Sequence, residues 1–323
     1  MSSNWLKIRR LHEIDRIHKL GFRRPQIPRF IPLGSNHWRM LFSVRNKDNR
    51  AEILSVDIAL LNETDFRVDE DSIQPFLERL EKSRFDKDSC FTGDYTTIRG
   101  KPFLFYTAGT DIQEPPFFEG CIAYVELGDD IQLVPQSRGR IALDIDVADP
   151  YALMAPCIHS NGSRYLVWYA STQYLPKEFP TTLEHRYHIR CAVSGDGCNW
   201  SKFPKPAIDF NDSAEGGITC PWVMESNGFY EMWYNTRGRF SKKHPELRRY
   251  RIGYATSGDG IDWTRRDNEH LFMKSGKESN WDHEMQCYAT VLKTERGRQF
   301  MFYCGNDYGD GGIGYAARTQ DAT

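Results

Sequence analysis

One short strand-like pattern recurs five times along the 323-residue chain, and it restricts the fold more than any other feature. Each copy is a turn residue followed by an alternating aromatic–aliphatic run that ends in a small or polar residue. The copies are His37–Ser43, Lys101–Thr107, Arg164–Ala170, Phe229–Asn235 and Arg298–Cys304, and their starts are 64, 63, 65 and 69 residues apart. A further run precedes each copy, at Arg29, Phe91, Met154, Thr219 and Gln286, and another follows it, at Ile53, Ile122, Ile189, Ile252 and Ile313. Two units continue into near-identical turns, Ser194–Trp200 and Ser257–Trp263. Asp-Gly in these turns suits the positive φ of a tight hairpin, and the closing Trp is expected between neighbouring sheets.

Three or four strands per unit, in five units repeated radially, describe an all-β five-bladed β-propeller with a few peripheral helices. The expected blades cover about residues 25–68, 84–135, 150–205, 215–270 and 280–320, preceded by an N-terminal helical extension over residues 1–24. A β-helix would repeat at shorter intervals, and a doubly wound fold would need helices where this chain has Gly, Pro and charge. Two helices are predicted. Asp71–Lys82 places Ile73, Phe76, Leu77 and Leu80 at i, i+3, i+4 and i+7. Asn4–Leu20 spaces Leu11, Ile14 and Ile17 by three and carries Lys7, Arg9, Arg10, Arg16 and Lys19; it is expected to pack against the propeller rim.

Composition narrows the function classes. Forty-two Lys and Arg against 44 Asp and Glu leave a net charge of -2, which argues against a nucleic-acid footprint. Eight Cys form no CxxC pair, and no HExxH or nucleophile elbow is present, so neither a metal nor an organic cofactor is expected. Residues Met1 to Arg10 lack the apolar segment of a secretory signal, and no apolar run is long enough for a bilayer span. The expected setting is cytoplasmic and reducing.

A propeller gathers side chains from all blades at the mouth of its central channel. Carboxylates just ahead of the inner strands are therefore the candidate catalytic groups: Asp88 before the second unit, Glu215 before the fourth and Glu284 before the fifth. Glycosyl transfer needs one protonated carboxyl for the leaving group and one ionised carboxylate to activate water or attack. For each of these acids a turn-capping or solvated role competes. Glu284 stands out because it lies within the apolar-flanked run Trp281–Tyr288, beside Asp282 and His283. Arg29, Arg45, Arg50 and Arg237, with Asp48 and Trp222, complete the candidate substrate-binding set; Arg forks suit carboxylate or phosphate groups. The candidate ligand is a small sugar or a nucleotide-sugar.

The stretch Tyr250–Ser257 with Gly258–Trp263 resembles the blade signature of glycoside hydrolase families 43, 32 and 68. Arg45–Arg50, Arg186–Arg190, Met232–Tyr234 and Asp282–Tyr288 resemble a subgroup of glycosidase-like propellers that accompany bacterial surface-polysaccharide and modified-sugar biosynthesis. The likeness runs from about Gln26 to Tyr315. It implies a sugar-cleaving or sugar-transferring enzyme with an inner-strand trio of carboxylates: base, pKa modulator and acid. The sequence departs from family 43 at the first inner strand, which carries Arg29 where that family shows a basic Asp. Asp88, Glu215 and Glu284 are matched to the trio by their places before the inner strands. A carbohydrate-binding propeller without turnover and a phosphate-dependent phosphorylase remain as alternatives.

Overall fold

The computed structural model describes residues 3–113, 117–174, 185–273 and 280–319. Strand β1 (Ser3–Arg10) opens the chain. Blade I follows as β2 (Arg23–Gly34), β3 (His37–Arg45), β4 (Ala51–Leu60) and β5 (Phe66–Leu77), and blade II as β6 (Ser89–Ile98), β7 (Lys101–Asp111), β8 (Phe118–Glu126) and β9 (Arg140–Leu143). Blade III contains β10 (Ala152–Ser160), β11 (Tyr165–Tyr174), β12 (Arg186–Ser194) and β13 (Ser201–Lys202). Blade IV contains β14 (Glu215–Ser226), β15 (Phe229–Gly238), β16 (Arg251–Ser257) and β17 (Thr264–Arg265). After β18 (His270–Met273), blade V is β19 (Cys287–Lys293), β20 (Gln299–Cys304) and β21 (Ile313–Arg318), with β1 as its fourth strand. The inner strands contact one another in the cycle β2, β6, β10, β14, β19 and back to β2, so the five blades surround one axis.

The first and last described strands meet in blade V. β1 pairs antiparallel with β21 and parallel with β18, so the first residues described fasten the last blade. This corrects the helical reading of residues 1–24. Residues 3–10 are a strand whose Trp5 is fully buried against Trp233, and only His12–Leu20 coils, as a 3-10 helix. The spacing of Leu11, Ile14 and Ile17 by three is the 3-10 repeat, and all three are buried. Four of the five Lys and Arg residues between Asn4 and Leu20 meet carboxylates: Lys7 with Asp282, Arg9 with Glu13, Arg10 with Asp15 and Arg16 with Asp71. The second predicted helix is also corrected. Residues 66–77 form β5, and irregular pairing with β4 lets Ile73, Phe76 and Leu77 all reach the interior, which imitates helical spacing.

The expected turns are present. Gly197 and Gly260 hold φ of 76° and 77°. Trp263 packs on Trp168 of blade III, and Trp200 packs on Phe105 of blade II. Sequence reading missed a second repeating device. In four blades the second-strand Tyr donates its hydroxyl to a buried or half-buried Asp that also meets a cation. The sets are Asp86 with Tyr106 and Arg138, Asp149 with Tyr169 and Lys202, Asp267 with Tyr234 and Arg265, and Asp282 with Tyr303 and Lys7. Blade I has Phe42 at the Tyr position, so it has no hydroxyl to satisfy.

Asp149 is fully buried and meets Arg190 at 3.3 Å and Lys202 at 2.6 Å. Removing its carboxylate leaves buried Arg190 without a counter-charge, while Lys202 keeps Asp146 at 2.8 Å. Asp149→Ala is expected to lose about 3–5 kcal/mol in urea unfolding at unchanged slope. A loss below about 1 kcal/mol, the worth of an ordinary surface pair, would show that the clamp does not hold the blade.

Candidate functional site

Every inner strand carries a register shift at the same height. The shifts fall between Gln26 and Arg29, Thr92 and Asp94, Met154 and Cys157, Thr219 and Trp222, and Cys287 and Thr290. The residues displaced there are Ile27, Gly93, Ala155, Cys220 and Tyr288. Four of them take left-handed φ: 53° at Ile27, 52° at Ala155, 53° at Cys220 and 59° at Tyr288. Pro28, Pro156 and Pro221 follow three of them. At Gly93 a Cβ would lie 2.1 Å from the Phe105 carbonyl oxygen and 2.6 Å from Pro156 Cγ, so glycine is required by close approach. Ile27, Ala155 and Cys220 pack together with Phe91, Met154 and Tyr288 as an apolar collar around the axis.

Immediately after the bulges, the axis is plugged. The Arg29 guanidinium, 1% exposed, donates to Thr290 Oγ1, the Pro28 and Pro221 carbonyls and Cys220 Sγ, and lies 4.9 Å from the Trp222 ring. Buried Asp94 accepts from the backbone N–H of Ile158 at 2.9 Å; burial raises its pKa, and the charge of Arg29 opposes that rise. Trp222 donates its Nε1–H to the Val291 carbonyl. Arg29 and Trp222, both read as substrate contacts, are placed in this packing.

At the level of the strand starts the lining changes. Arg45, at the end of β3, lies 4.6 Å from the Phe91 ring. Arg237, on β15, donates to the Tyr187 hydroxyl at 2.9 Å and to the His185 carbonyl at 2.9 Å. Tyr187 and Tyr250 hydrogen-bond through their hydroxyls. Tyr250 is 6.0 Å from the Tyr288 ring and 5.6 Å, edge on, from Tyr308. Gln26 donates to the Tyr308 carbonyl. Side chains from all five blades thus meet in one aromatic, cationic mouth. Burial raises the pKa of Tyr250, Tyr288 and Tyr308, which favours their protonated form.

Glu284 borders this mouth. Its carboxylate meets Arg249 at 2.7 Å, and its carbonyl accepts from Arg251 at 2.7 Å, so the residues on both sides of Tyr250 hold it. Its own N–H donates to Asn306 Oδ1 at 2.8 Å. Its side chain is 40% exposed, and Nε2 of exposed His283 lies 3.6 Å away. The other two acids are more enclosed. Asp88 is buried, meets Arg50 at 3.2 Å and accepts from the Asp111 N–H at 2.9 Å. Glu215 takes two hydrogen bonds from Arg265, at 2.7 and 2.8 Å, and one from the Asn211 N–H. Asp282 belongs to the blade V clamp with Tyr303 and Lys7, and Asp48 lies exposed in the 46–50 hairpin turn. The three candidate acids therefore occupy separate ion pairs, on Arg50, Arg265 and Arg249.

Of the sequence-read set, Arg45 and Arg237 enter the mouth, and Glu284 with His283 borders it. The residues missed are Gln26, Phe91, Tyr187, Tyr250, Tyr288 and Tyr308. A signal existed: Tyr187 and Tyr250 each stand two residues before the third-strand isoleucine of their blade, Ile189 and Ile252. Among the described residues, no group of three or more His, Cys, Asp or Glu could hold a metal ion, and no helix is long and apolar enough to cross a membrane.

The protein has the propeller fold of glycoside hydrolase families 43, 32 and 68. A solved glycoside hydrolase superposes with a TM-score of 0.65 at 16% identity, over 97% of this protein and 96% of that one. A thermostable family-43 glycoside hydrolase superposes at 0.58 and 14% identity, over 94% and 92%. By sequence, the protein is 29% identical over 282 residues to "Uncharacterized protein Rv1502" of Mycobacterium tuberculosis H37Rv, covering 86% of this protein and 87% of that one. No protein-family model matches.

The mouth depends on a close approach at Gly217, where a Cβ would lie 2.3 Å from Tyr187 Cε2. Gly217→Ala is expected to displace the Tyr187 ring and cost about 1–3 kcal/mol in urea unfolding. An unchanged unfolding midpoint would mean that Tyr187 is not held as described.

Proposed function

We propose that this protein is a glycosidase-like enzyme that cleaves or transfers a glycosyl bond of a small sugar held in the channel mouth. The observation that carries this reading is the convergence of Arg45, Phe91, Arg237, Tyr250, Tyr288 and Tyr308 from four blades at one end of the axis. Aromatic faces bind sugar rings by apolar contact, and guanidinium and phenol donors suit hydroxyl and oxyanion acceptors. Burial favours the protonated phenols, so a carboxylate must move the proton. Glu284 is the most exposed of the three candidates and borders the mouth, so a substrate can reach it; acting as the general acid requires that it leave its ion pair with Arg249. Asp88 is the better candidate for base or nucleophile, because Arg265 closes both oxygens of Glu215.

A nucleotide-linked sugar, a role in surface-polysaccharide or modified-sugar biosynthesis, and a cytoplasmic setting extend this proposal. The sequence resemblance supports the first two. The eight unpaired cysteines, seven of them buried, support a reducing compartment.

One observation favours a second reading, a carbohydrate-binding propeller without turnover. The five bulge residues around the axis, Ile27, Gly93, Ala155, Cys220 and Tyr288, include no carboxylate, whereas glycosyl transfer ordinarily uses two.

Mass-spectrometric turnover of a panel of aryl glycosides and nucleotide-sugars, with and without phosphate, separates these readings. Glu284→Gln is expected to lower kcat about 10²–10⁴-fold while sugar binding persists. Unchanged turnover in the variant would remove Glu284 from the chemistry. Sugar binding with no product from any panel member would establish the binding propeller, and product only with phosphate would make the reaction phosphorolysis.

A further inference from the structure

Four cations around the strand starts have an anionic partner. Arg24 meets Asp310 at 3.0 Å, Arg50 meets Asp88 at 3.2 Å, Arg249 meets Glu284 at 2.7 Å and Arg265 meets Glu215 at 2.7 Å. Arg45 differs. Its one hydrogen bond, from Nη1 to the Asn49 carbonyl at 2.9 Å, uses a single donor of five, and it forms no ion pair among the described residues. Phe91 covers one face of its guanidinium at 4.6 Å. Arg23 is its register partner across β2 and β3, and Arg24 follows with a left-handed φ of 54° and its side chain on Asp310.

We propose that Arg45, supported by Arg23, is the anchor for an oxyanion carried by the bound sugar, a carboxylate or a phosphate. The inference rests on the mouth being the sugar site and names the class of sugar it takes. A planar fork stacked on an aromatic ring loses little freedom on binding and meets two oxyanion oxygens at once. Arg23, the register partner of Arg45, adds like charge with no ion pair among the described residues, which favours an incoming anion, whereas Arg24 is already paired with Asp310. Burial lowers the pKa of Arg45; Arg24 and Arg23 act in the same direction, while Tyr288 and the Asp111 carboxylate oppose it. Phe91 and Tyr288 lie beside it, so an anion on Arg45 would place the attached ring against the aromatic mouth.

The test is calorimetric binding of matched probes: methyl glucuronide and methyl galacturonide, glucose 1-phosphate and galactose 1-phosphate, and the neutral methyl glucoside and methyl galactoside. The anionic probes are expected to bind at least about tenfold more tightly than their neutral partners. Arg45→Met should reduce that preference about 10–100-fold, and Arg45→Lys should restore part of it. Lys47→Met removes the same charge from the exposed hairpin and should leave the preference intact; thermal melts confirm that each variant is folded. Uronides binding above phosphates assigns the carboxylate, and the reverse assigns the phosphate. Equal binding of charged and neutral probes, or a preference that survives Arg45→Met, overturns the inference and leaves the sugar site standing. Binding by none of the six probes overturns both.

Discussion

The buried guanidinium of Arg29 ties the axis together. It starts in blade I, bonds to Thr290 of blade V and to Cys220 and Pro221 of blade IV, and offsets the charge of Asp94 in blade II. A central channel in a small propeller would otherwise expose inner-strand backbone groups, and a single five-donor fork satisfies several of them at once. The bulges immediately before this plug place Tyr288 and the apolar collar around the axis. The sugar site proposed here therefore rests on this packed axis.

The arrangement separates three jobs that the sequence presents in one alphabet of Asp, Glu and Arg. Asp86, Asp149, Asp267 and Asp282 clamp blades through Tyr hydroxyls and cations. Arg29 and Asp94 fill the axis. Arg45, Arg237 and Glu284 remain at the open end. Charge buried in the first two roles is costly unless fully partnered, and that cost explains why each clamp brings its own Lys or Arg from the edge of its blade.

The fold was legible because the second strand of each blade is covered on both faces. Copies such as Arg164–Ala170 and Phe229–Asn235 are aromatic and aliphatic almost throughout, and the blade spacing repeats. The edges were harder to read. β5 is exposed on one face and paired irregularly, so Ile73, Phe76 and Leu77 imitated a helix. β1 has its partner at the opposite end of the sequence, and no local pattern announces that Ser3–Arg10 pairs with Ile313–Arg318. For the site, position before an inner strand located the correct end of the propeller but not the direction of each side chain. Asp88 and Glu215 close on arginines, Asp282 turns into its clamp, and Arg29 goes inward instead of to the ligand. Tyr187 and Tyr250 escaped notice because aromatic residues in a β-rich protein are ordinarily packing; aligning the blades column by column would have shown both at one position.

The most direct test of the account is a crystal structure with a bound sugar from whichever class the protein recognises in solution. The account predicts density in the channel mouth, with the ring against Tyr250, Tyr288 or Tyr308 and a polar group on Arg45 or Arg237. A sugar seated elsewhere with the mouth empty, for instance in the cleft between β1 and Trp281 lined by Lys7, Arg10 and Tyr303, would contradict it.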